Sequence, residues 1–439
     1  MTSILGKLTV TASRKIIISC AVIFLLSHIA FLIDIQSPAK LYFDEVHYIP
    51  AAHQFLQGGA LRNVEHPPLA KELMAVGISL FGDGPFGWRY MSAFFGSLAL
   101  VAVYLWALAL FMDENVARWA TAVTFLNQFL YVQARIAMLD VFVVAFIILA
   151  LAAFTATWLP QLRGRTKLLL MATGVFLGLA VACKWVGVIS WLLIVGIVVS
   201  IKVLQNWKTH FDNPAESDWY RSDLWQGIRP WHWILCLFVI PLGVYYVSFA
   251  PLGFGQLLPG NFIDAQVTMW KDNSTLAGTH PYMSSWTDWP IIRRPIWYFF
   301  EASSWDTYAG KAQAVVCLGN PAVLWAGIPA LLVCLHGWLV HRRRDAFIIL
   351  AAYSALYLAW AVIPRRLEFS FYYLPAAMML GPALAYMFYQ TPLKRDPSTR
   401  RFYLAVCFVL FAYFLPISNA AINISETGFN RSMWFQSWR

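Results

Sequence analysis

Long apolar runs recur along the whole chain, and they constrain its fold more than any other feature. Each run holds roughly 17 to 25 residues, the length that an α-helix needs to cross the hydrocarbon layer of a bilayer. The 439-residue chain is 60% hydrophobic and only 12% charged, which is far more apolar than a soluble domain. No polar block is long enough to form a separate soluble domain. The sequence therefore predicts an all-α polytopic membrane protein in which residues 1–439 form a single domain.

The apolar runs predict eleven transmembrane helices. The run from Ile16 to Ile33 is long and lacks a small-residue cleavage site, so we interpret it as an uncleaved first span rather than a signal peptide. The spans leave a first external loop at about 34–90, which we expect to be helical, and a large external loop at about 250–314. The predicted spans lie at about 16–33, 91–111, 117–133, 138–158, 168–183, 186–204, 233–249, 315–340, 346–363, 371–389 and 402–418.

Basic residues set the predicted orientation. Lysine and arginine are enriched in the cytoplasmic loops of membrane proteins, and the tightest basic groups all fall on one side of the predicted spans. This places the N-terminus in the cytoplasm and explains most of the net charge of +10, so no nucleic-acid partner is expected. The groups are Arg163, Arg165 and Lys167; Arg342, Arg343 and Arg344; and Lys394, Arg395, Arg400 and Arg401.

Two polar clusters occur in the first external loop. Asp44 and Glu45 are adjacent carboxylates close to the membrane surface, and ionisable residues near spans favour a functional hypothesis. About twenty residues later comes a second cluster that runs from Glu65 through His66 to Lys71. Together the two clusters predict an active site at the external face of the membrane.

Several cations lie on the same external side, against the usual charge bias. Arg135, Lys184 and Arg366 each sit at or beside a span end. Arginine binds phosphate through bidentate contacts and lysine adds a point charge, so these residues favour a phosphate-binding pocket. The alternative is that they are interfacial side chains whose charged ends reach the headgroup region.

The motifs resemble those of the polyprenyl- (dolichyl-) phosphate-mannose protein O-mannosyltransferases, which are membrane glycosyltransferases of the C fold. The similar segments occur in order along most of the chain. They are Asp44-Glu45, His66-Pro67-Pro68-Leu69-Ala70-Lys71, Arg135 to Asp140, Cys183-Lys184-Trp185-Val186-Gly187, Ser285-Trp286-Thr287-Asp288-Trp289-Pro290, Gly319-Asn320-Pro321 and Arg366 to Pro375.

The chain departs from this family pattern at two points. Tyr372 stands where the family usually has a histidine, and there is no room for the extra β-trefoil domain of eukaryotic members. The compact form implies a bacterial-type member in the inner membrane, with its active site on the periplasmic face. The resemblance also implies a polyprenyl-phosphate-linked sugar donor, with mannose as the expected sugar, and membrane lipids as partners.

The chemistry of such a transfer suggests residue roles. An acceptor hydroxyl must lose a proton as it attacks the anomeric carbon, and a carboxylate suits that task. We expect Asp44 to be the base and Glu45 to orient it or bind sugar or acceptor, with inversion at the anomeric carbon. Arg135, Lys184 and Arg366 would hold the phosphate. The other expected site residues are Asp140, which would orient Arg135 or a nearby loop, and His66, Lys71 and Tyr372.

The large external loop is rich in aromatic residues. An interfacial tryptophan belt is the ordinary explanation, whereas Trp286 and Trp289, inside a family-like motif, favour a lid over sugar or peptide. The cysteines show no zinc-like spacing, and no nucleotide-binding loop is present, so no metal or cofactor is assigned.

Two alternatives to transfer onto a protein hydroxyl remain open from the sequence. The acceptor could be a glycolipid such as lipid A, as in the aminoarabinose transferases, because Asp44, Glu45 and Tyr48 also fit their opening motif. The chain could instead be a transporter or flippase. The clustering of charge at one face disfavours transport, since transporters carry their charges near the midplane.

Overall fold

A computed structural model describes residues 2–58, 62–208, 224–275, 278–302, 311–363, 365 and 367–439. Nine helices form the first half of the chain, and α2 and α3 give the first external loop its expected helical character. The bounds are α1 (Thr2–Leu32), α2 (Glu45–Gln57), α3 (Leu69–Phe81), α4 (Pro85–Phe111), α5 (Glu114–Phe125), α6 (Gln128–Gln133), α7 (Asp140–Ala156), α8 (Thr166–Cys183) and α9 (Gly187–Lys208).

The second half combines helices with three short strands. A π-helical turn at Leu235–Val239 joins its first two helices into one span. The bounds are α10 (Pro230–Ile234), α11 (Ile240–Val247), α12 (Pro259–Thr275), β1 (Ile296–Ala302), β2 (Lys311–Cys317), α13 (Pro321–Leu339), α14 (Arg344–Leu358), α15 (Leu374–Ala377), α16 (Leu380–Gln390), α17 (Pro397–Ser418), β3 (Ile424–Ser425) and α18 (Glu426–Ser432).

Eight helices among the described residues are long and apolar enough to cross a membrane, or nine if the bent pair Ser370–Ala377 and Leu380–Gln390 is one span. The predicted count of eleven is not confirmed. The apolar run at 117–133 divides into α5 and α6 at Asn127, whose side chain accepts a hydrogen bond from the Phe129 amide. The run at 138–158 becomes α7, which has 17 residues and is buried along most of its length. Apolar composition does not distinguish helices that face lipid from helices buried in protein.

The large external loop is not purely helical, which corrects the all-α expectation for this segment. It contains α12, β1 and the start of β2, and these strands form an antiparallel sheet with β3 in the order β1-β2-β3, in which Ile296 pairs with Cys317 and Lys311 pairs with Ser425. The sequence of β1, Ile-Trp-Tyr-Phe-Phe-Glu-Ala, is rich in aromatic residues that favour strands. Because β3 follows α17, the sheet ties the C-terminal segment to the external loop.

Close helix contact brings α8 against the span formed by α10 and α11. A Cβ at Gly174 would overlap the Cys236 carbonyl oxygen, and one at Gly178 would press on the Pro241 carbonyl oxygen. These small residues let the two backbones approach as they do in many membrane helix pairs. The C-terminal end of α8, which carries Lys184, is therefore held beside α11.

Candidate active site

A cavity of about 530 Å³ opens near the C-terminal end of α8. It is bounded by α9, α11, α12 and the segment after α14, and most of its lining is apolar. Charged and polar side chains are grouped in it: His66, Lys184, Tyr245, Gln266, Asn273, Ser274 and Arg365. The cavity therefore combines a long apolar body with a cationic region.

Asp44 lies at the N-cap of α2 and interacts electrostatically with the cationic lining. Phe43, just before it, has a left-handed backbone (φ 50°) and packs its ring against Tyr298, with the centroids 4.4 Å apart. A strained turn that the surroundings hold in place is typical of functional sites. Burial raises the pKa of Asp44 to about 6, although Lys184, His47 and Arg365 act in the opposite direction.

Glu45 points away from the cavity into a buried ion pair with Arg89. Both carboxylate oxygens accept from the guanidinium, at 2.8 and 2.9 Å, and one also accepts from the Ala137 amide at 2.9 Å. Arg89 further donates to the carbonyls of Ile35, Pro38 and Lys40. Both side chains are fully buried. The structure therefore places Glu45 in a fully buried ion pair in which both carboxylate oxygens are already bonded.

Lys184 pairs with Asp140 rather than standing alone. Its Nζ donates to the two carboxylate oxygens at 2.8 and 3.0 Å, so Asp140 orients Lys184 and not Arg135. The ammonium also lies 4.8 Å from the ring centroid of Tyr372, within the range of a cation–π contact. Asp140 is almost fully buried, and Lys184 reaches the cavity wall.

Arg365 is the second cation of the cavity. Its guanidinium donates to the Asn273 side-chain oxygen at 3.2 Å and to the Leu367 carbonyl, and it lies 5.0 Å from the Tyr372 ring centroid. Tyr372 in turn stacks on Trp360, with centroids 4.6 Å apart. The neighbouring Arg366, which the sequence predicted as a phosphate ligand, lies outside the described residues.

His66 and Lys71 come from the second polar cluster, but only His66 lines the cavity. Lys71 is fully buried and its Nζ donates to the carbonyls of Asn63 and His66, at 2.6 and 2.8 Å. Burial lowers the pKa of Lys71 to about 7, while Glu65 and Glu72 raise it. The pKa of His66 lies well below its usual value because of burial and nearby cations, so the ring is neutral. Lys71 thus fixes the backbone that presents His66.

Arg135, Trp286 and Trp289 are not part of the cavity lining. Arg135 donates to the carbonyls of Phe31 and Ile33 and to Asn419, so it anchors the end of α1. Trp289 is only 1% exposed and packs against Trp360 and Tyr372. Trp286 accepts a hydrogen bond from Tyr357 through its carbonyl. In this conformation the two tryptophans pack against neighbouring aromatic rings and do not line the cavity.

Of the predicted site residues among the described residues, His66 and Lys184 line the cavity, while Asp44, Asp140 and Tyr372 interact with Lys184 beside it. Glu45, Lys71 and Arg135 are instead bonded elsewhere. Sequence reasoning missed Arg89, Gln266 and Asn273. Arg89 could have been found, because it is one more arginine in the predicted first external loop, just before a predicted span. No sequence signal distinguished Gln266 or Asn273, since they depend on how α12 packs. Among the described residues, no group of three or more His, Cys, Asp and Glu side chains is arranged to hold a metal ion.

Family models cover almost the whole chain. Residues 21–88 and 83–252 match the dolichyl-phosphate-mannose-protein mannosyltransferase family, and residues 258–438 match the C-terminal four-TMM region of protein O-mannosyltransferases. The chain is 28% identical to a polyprenol-phosphate-mannose–protein mannosyltransferase of Mycolicibacterium smegmatis, over 95% of this chain and 92% of the relative. A protein of the same name from Corynebacterium glutamicum is 27% identical, with 90% and 88% covered.

Solved structures show the same fold. The Saccharomyces cerevisiae protein O-mannosyltransferase Pmt1–Pmt2 complex bound to the sugar donor gives a TM-score of 0.77 at 16% identity, covering 97% of this chain and 93% of the other. ArnT from Cupriavidus metallidurans bound to undecaprenyl phosphate gives 0.58 at 16% identity, covering 92% and 65%. At these identities the likeness concerns the fold alone.

Proposed function

The chain belongs to the dolichyl-phosphate-mannose-protein mannosyltransferase family, and we propose that it transfers mannose from a polyprenyl phosphate to a Ser or Thr hydroxyl of a protein. The names of the mycobacterial and corynebacterial relatives support this choice of donor and acceptor. The glycolipid acceptor is the alternative outcome that the experiment below would reveal.

The observation that carries the proposal is the two-part chemistry of the cavity. Its apolar walls, which include Val188, Ile189 and Leu242, suit an isoprenoid chain, while Lys184 and Arg365 at one region suit a phosphate. A phosphate-linked lipid needs both features in one site. Asp44 interacts with the same two cations, so a sugar on that phosphate would lie near a carboxylate.

Arg365 is the stronger candidate for binding the leaving phosphate. Among the described residues its guanidinium donates hydrogen bonds to neutral oxygens, and the carboxylates of Asp44 and Glu368 act on it only electrostatically, without an ion pair. Lys184 shares its charge with Asp140 and would contribute less. A fixed cation in a water-poor site stabilises charge that develops on the leaving oxygen.

Asp44 is the proposed general base. The acceptor oxygen forms a bond to the anomeric carbon while the bond from that carbon to the phosphate oxygen breaks. The acceptor proton passes to Asp44, and polyprenyl phosphate leaves with the electron pair. One displacement inverts the anomeric configuration. A pKa near 6 suits this role, because the carboxylate is ionised at neutral pH and yet a better base than an ordinary aspartate.

Glu45 and Arg89 would act by positioning. Their buried pair fixes the first residues of α2 and, with the turn at Phe43, sets the direction of Asp44. We also propose that this site faces the periplasm of a bacterial inner membrane, with the N-terminus in the cytoplasm, as the basic loops indicate.

The test is a transfer assay with the protein in lipid nanodiscs. Undecaprenyl-phosphate-mannose and a Ser/Thr-containing peptide library would be added, and hexose-modified peptides identified by mass spectrometry. We expect peptide modification with inverted anomeric configuration, read by NMR, and none from a nucleotide-linked mannose. Modification of lipid A with unmodified peptides would replace the protein acceptor by the glycolipid, and absence of both would overturn the proposal.

A further inference from the structure

Helix α12 has three distinct faces rather than two. One face, formed by Phe262, Ala265 and Met269, packs against the protein near Tyr245 and Phe249. A second face, which includes Asp264, Thr268 and Lys271, is exposed and polar. The third face is exposed and apolar. A helix on the water-exposed surface of a globular protein needs only the first two faces.

The apolar exposed face consists of Ile263, Val267 and Trp270. These side chains are 58%, 59% and 62% exposed, and at 3.6 residues per turn they fall within an arc of roughly 60°. The polar face lies beside this stripe, and both are exposed; Trp270, at the edge of the stripe, also borders the cavity. A helix that meets protein, water and an apolar medium along three sides fits the boundary between a bilayer and water.

The stripe continues the lipid-facing surface of the preceding span. The span Pro230–Leu252 ends only a short connector, residues 253–258, before α12 begins. Val247 on the span is 61% exposed, and Leu242, which also borders the cavity, is 52% exposed. The connector itself exposes two more large apolar side chains, Phe254 and Leu258. Exposed apolar side chains are thus present on the span, on the connector and on α12.

We propose that α12 lies along the membrane interface, with the stripe of Ile263, Val267 and Trp270 inserted among lipid chains and the Asp264–Lys271 side facing water. Tryptophan is favoured at this depth, and interfacial helices bury their apolar face at the boundary of headgroups and acyl chains. The helix carries Asp264, Lys271 and Asp272, a balance of −1, so apolar contact and not attraction to anionic lipid would hold it there.

This placement has a consequence for the cavity. Gln266, Trp270 and Asn273 of α12 line its wall, and Asn273 accepts a hydrogen bond from Arg365 and donates one to the Glu65 carbonyl at 2.6 Å. A lipid layer that surrounds the stripe would therefore also fix the position of the α12 face that lines the cavity. Insertion in the bilayer thereby positions the Arg365 guanidinium. The interfacial location itself does not depend on the proposed transfer reaction.

The location can be measured with nitroxide labels in phosphatidylcholine nanodiscs. Single cysteines would replace Ile263 or Val267 on the stripe, and Asp264 or Lys271 on the polar face. The six native cysteines are buried or half-buried, and labelled parent protein supplies the background. We expect the stripe labels to be relaxed more by oxygen, which concentrates in lipid, and the polar-face labels more by a water-soluble nickel complex.

Two results would overturn the interfacial location. Greater nickel than oxygen relaxation at Ile263 and Val267 would place the stripe in water. Protection of both positions from oxygen and nickel would show that protein covers it, such as a second copy of this chain. These readouts use no sugar donor, so they stand or fail apart from the transfer activity.

The link to Arg365 needs a functional pair of variants. Val267→Asp puts a charge on the stripe, whereas the matched Thr268→Asp puts the same charge one residue away on the water side. We expect weaker binding of undecaprenyl phosphate only in Val267→Asp. Equal affinity in the two variants, with the Val267→Asp helix shown by its labels to have left the lipid, would refute the link.

Discussion

The adjacent carboxylates Asp44 and Glu45 belong to two regions with opposite properties. Glu45 belongs to a closed anchor, in which Arg89 occupies both of its oxygens and no cavity is present. Asp44 lies beside an open cavity that is lined by Lys184 and Arg365, and it interacts with these two cations electrostatically without an ion pair that occupies its oxygens. The comparison shows that a buried charge stabilises the fold when ionic and hydrogen-bonding partners occupy all of its oxygens. A charge whose oxygens are not all occupied is available for chemistry.

The largest expected effect comes from removing the base in the open region. Asp44→Asn keeps the size of the side chain but not its basicity, so we expect turnover to fall by about 10²–10⁴. Initial rates of peptide mannosylation would measure it, with donor affinity near normal. The control Glu301→Gln alters an exposed carboxylate and should leave turnover unchanged. Near-normal turnover in folded Asp44→Asn protein would assign the base elsewhere.

Disrupting the closed anchor should lower the stability of the protein. Arg89→Met leaves the Glu45 carboxylate buried without its partner, which typically costs about 3–5 kcal/mol. Thermal unfolding in detergent would measure the loss. The exposed Arg118→Met, which removes an i,i+4 pair with Glu114, should cost less than about 1 kcal/mol. If the double variant Arg89→Met with Glu45→Gln is no more stable than Arg89→Met alone, the unpaired Glu45 carboxylate is not the reason for the lower stability.

Arg365 and Arg135 extend the comparison, because the sequence alone does not distinguish their roles. Arg365→Ala should weaken binding of undecaprenyl phosphate roughly ten- to a hundredfold, as expected for loss of a charge-assisted contact worth about 1.5–3 kcal/mol. Arg135→Ala should lower stability with little change in the affinity of folded protein, because Arg135 anchors α1. Titration by isothermal calorimetry would separate them. The reverse pattern would exchange their roles.

The smallest expected effect is the pH dependence. Burial raises the pKa of Asp44 to about 6, so the carboxylate is protonated below that pH and cannot accept a proton. We expect kcat/KM to be level above pH 7 and to fall about tenfold per pH unit well below 6. A profile still level at pH 5, measured while the protein stays folded, would contradict Asp44 as a base with this pKa.

Much of the fold was predictable because the bilayer imposes a strong rule on helix length. The spans at α4, α8, α9 and α17 follow their apolar runs closely. The helix after Pro67-Pro68 begins at Leu69, in the first external loop that was expected to be helical. The run at 117–133 divided into α5 and α6, and the run at 138–158 became the buried helix α7, so the predicted number of spans is not confirmed. Burial inside protein and contact with lipid demand the same apolar composition.

The site was predictable only as a set of residue types on one side of the membrane. Asp44, His66 and Lys184 were predicted because ionisable residues near membrane spans favour a functional hypothesis. The sequence did not distinguish these residues from charged residues of the same motifs that have other contacts. Lys71 donates to backbone carbonyls, and Arg135 anchors the end of α1.

The sequence by itself determined that this chain is a multi-span membrane protein of the mannosyltransferase type, because hydropathy, charge bias and ordered motifs are properties of the chain read in one dimension. Only the tertiary structure decided which charges meet. Glu45 and Arg89 lie 44 residues apart and close on each other. Asp44, one residue away, turns toward Lys184 and Arg365 instead. The physical reason is that the cost of a charge depends on the partners and solvent around it, and these are fixed only when distant helices pack.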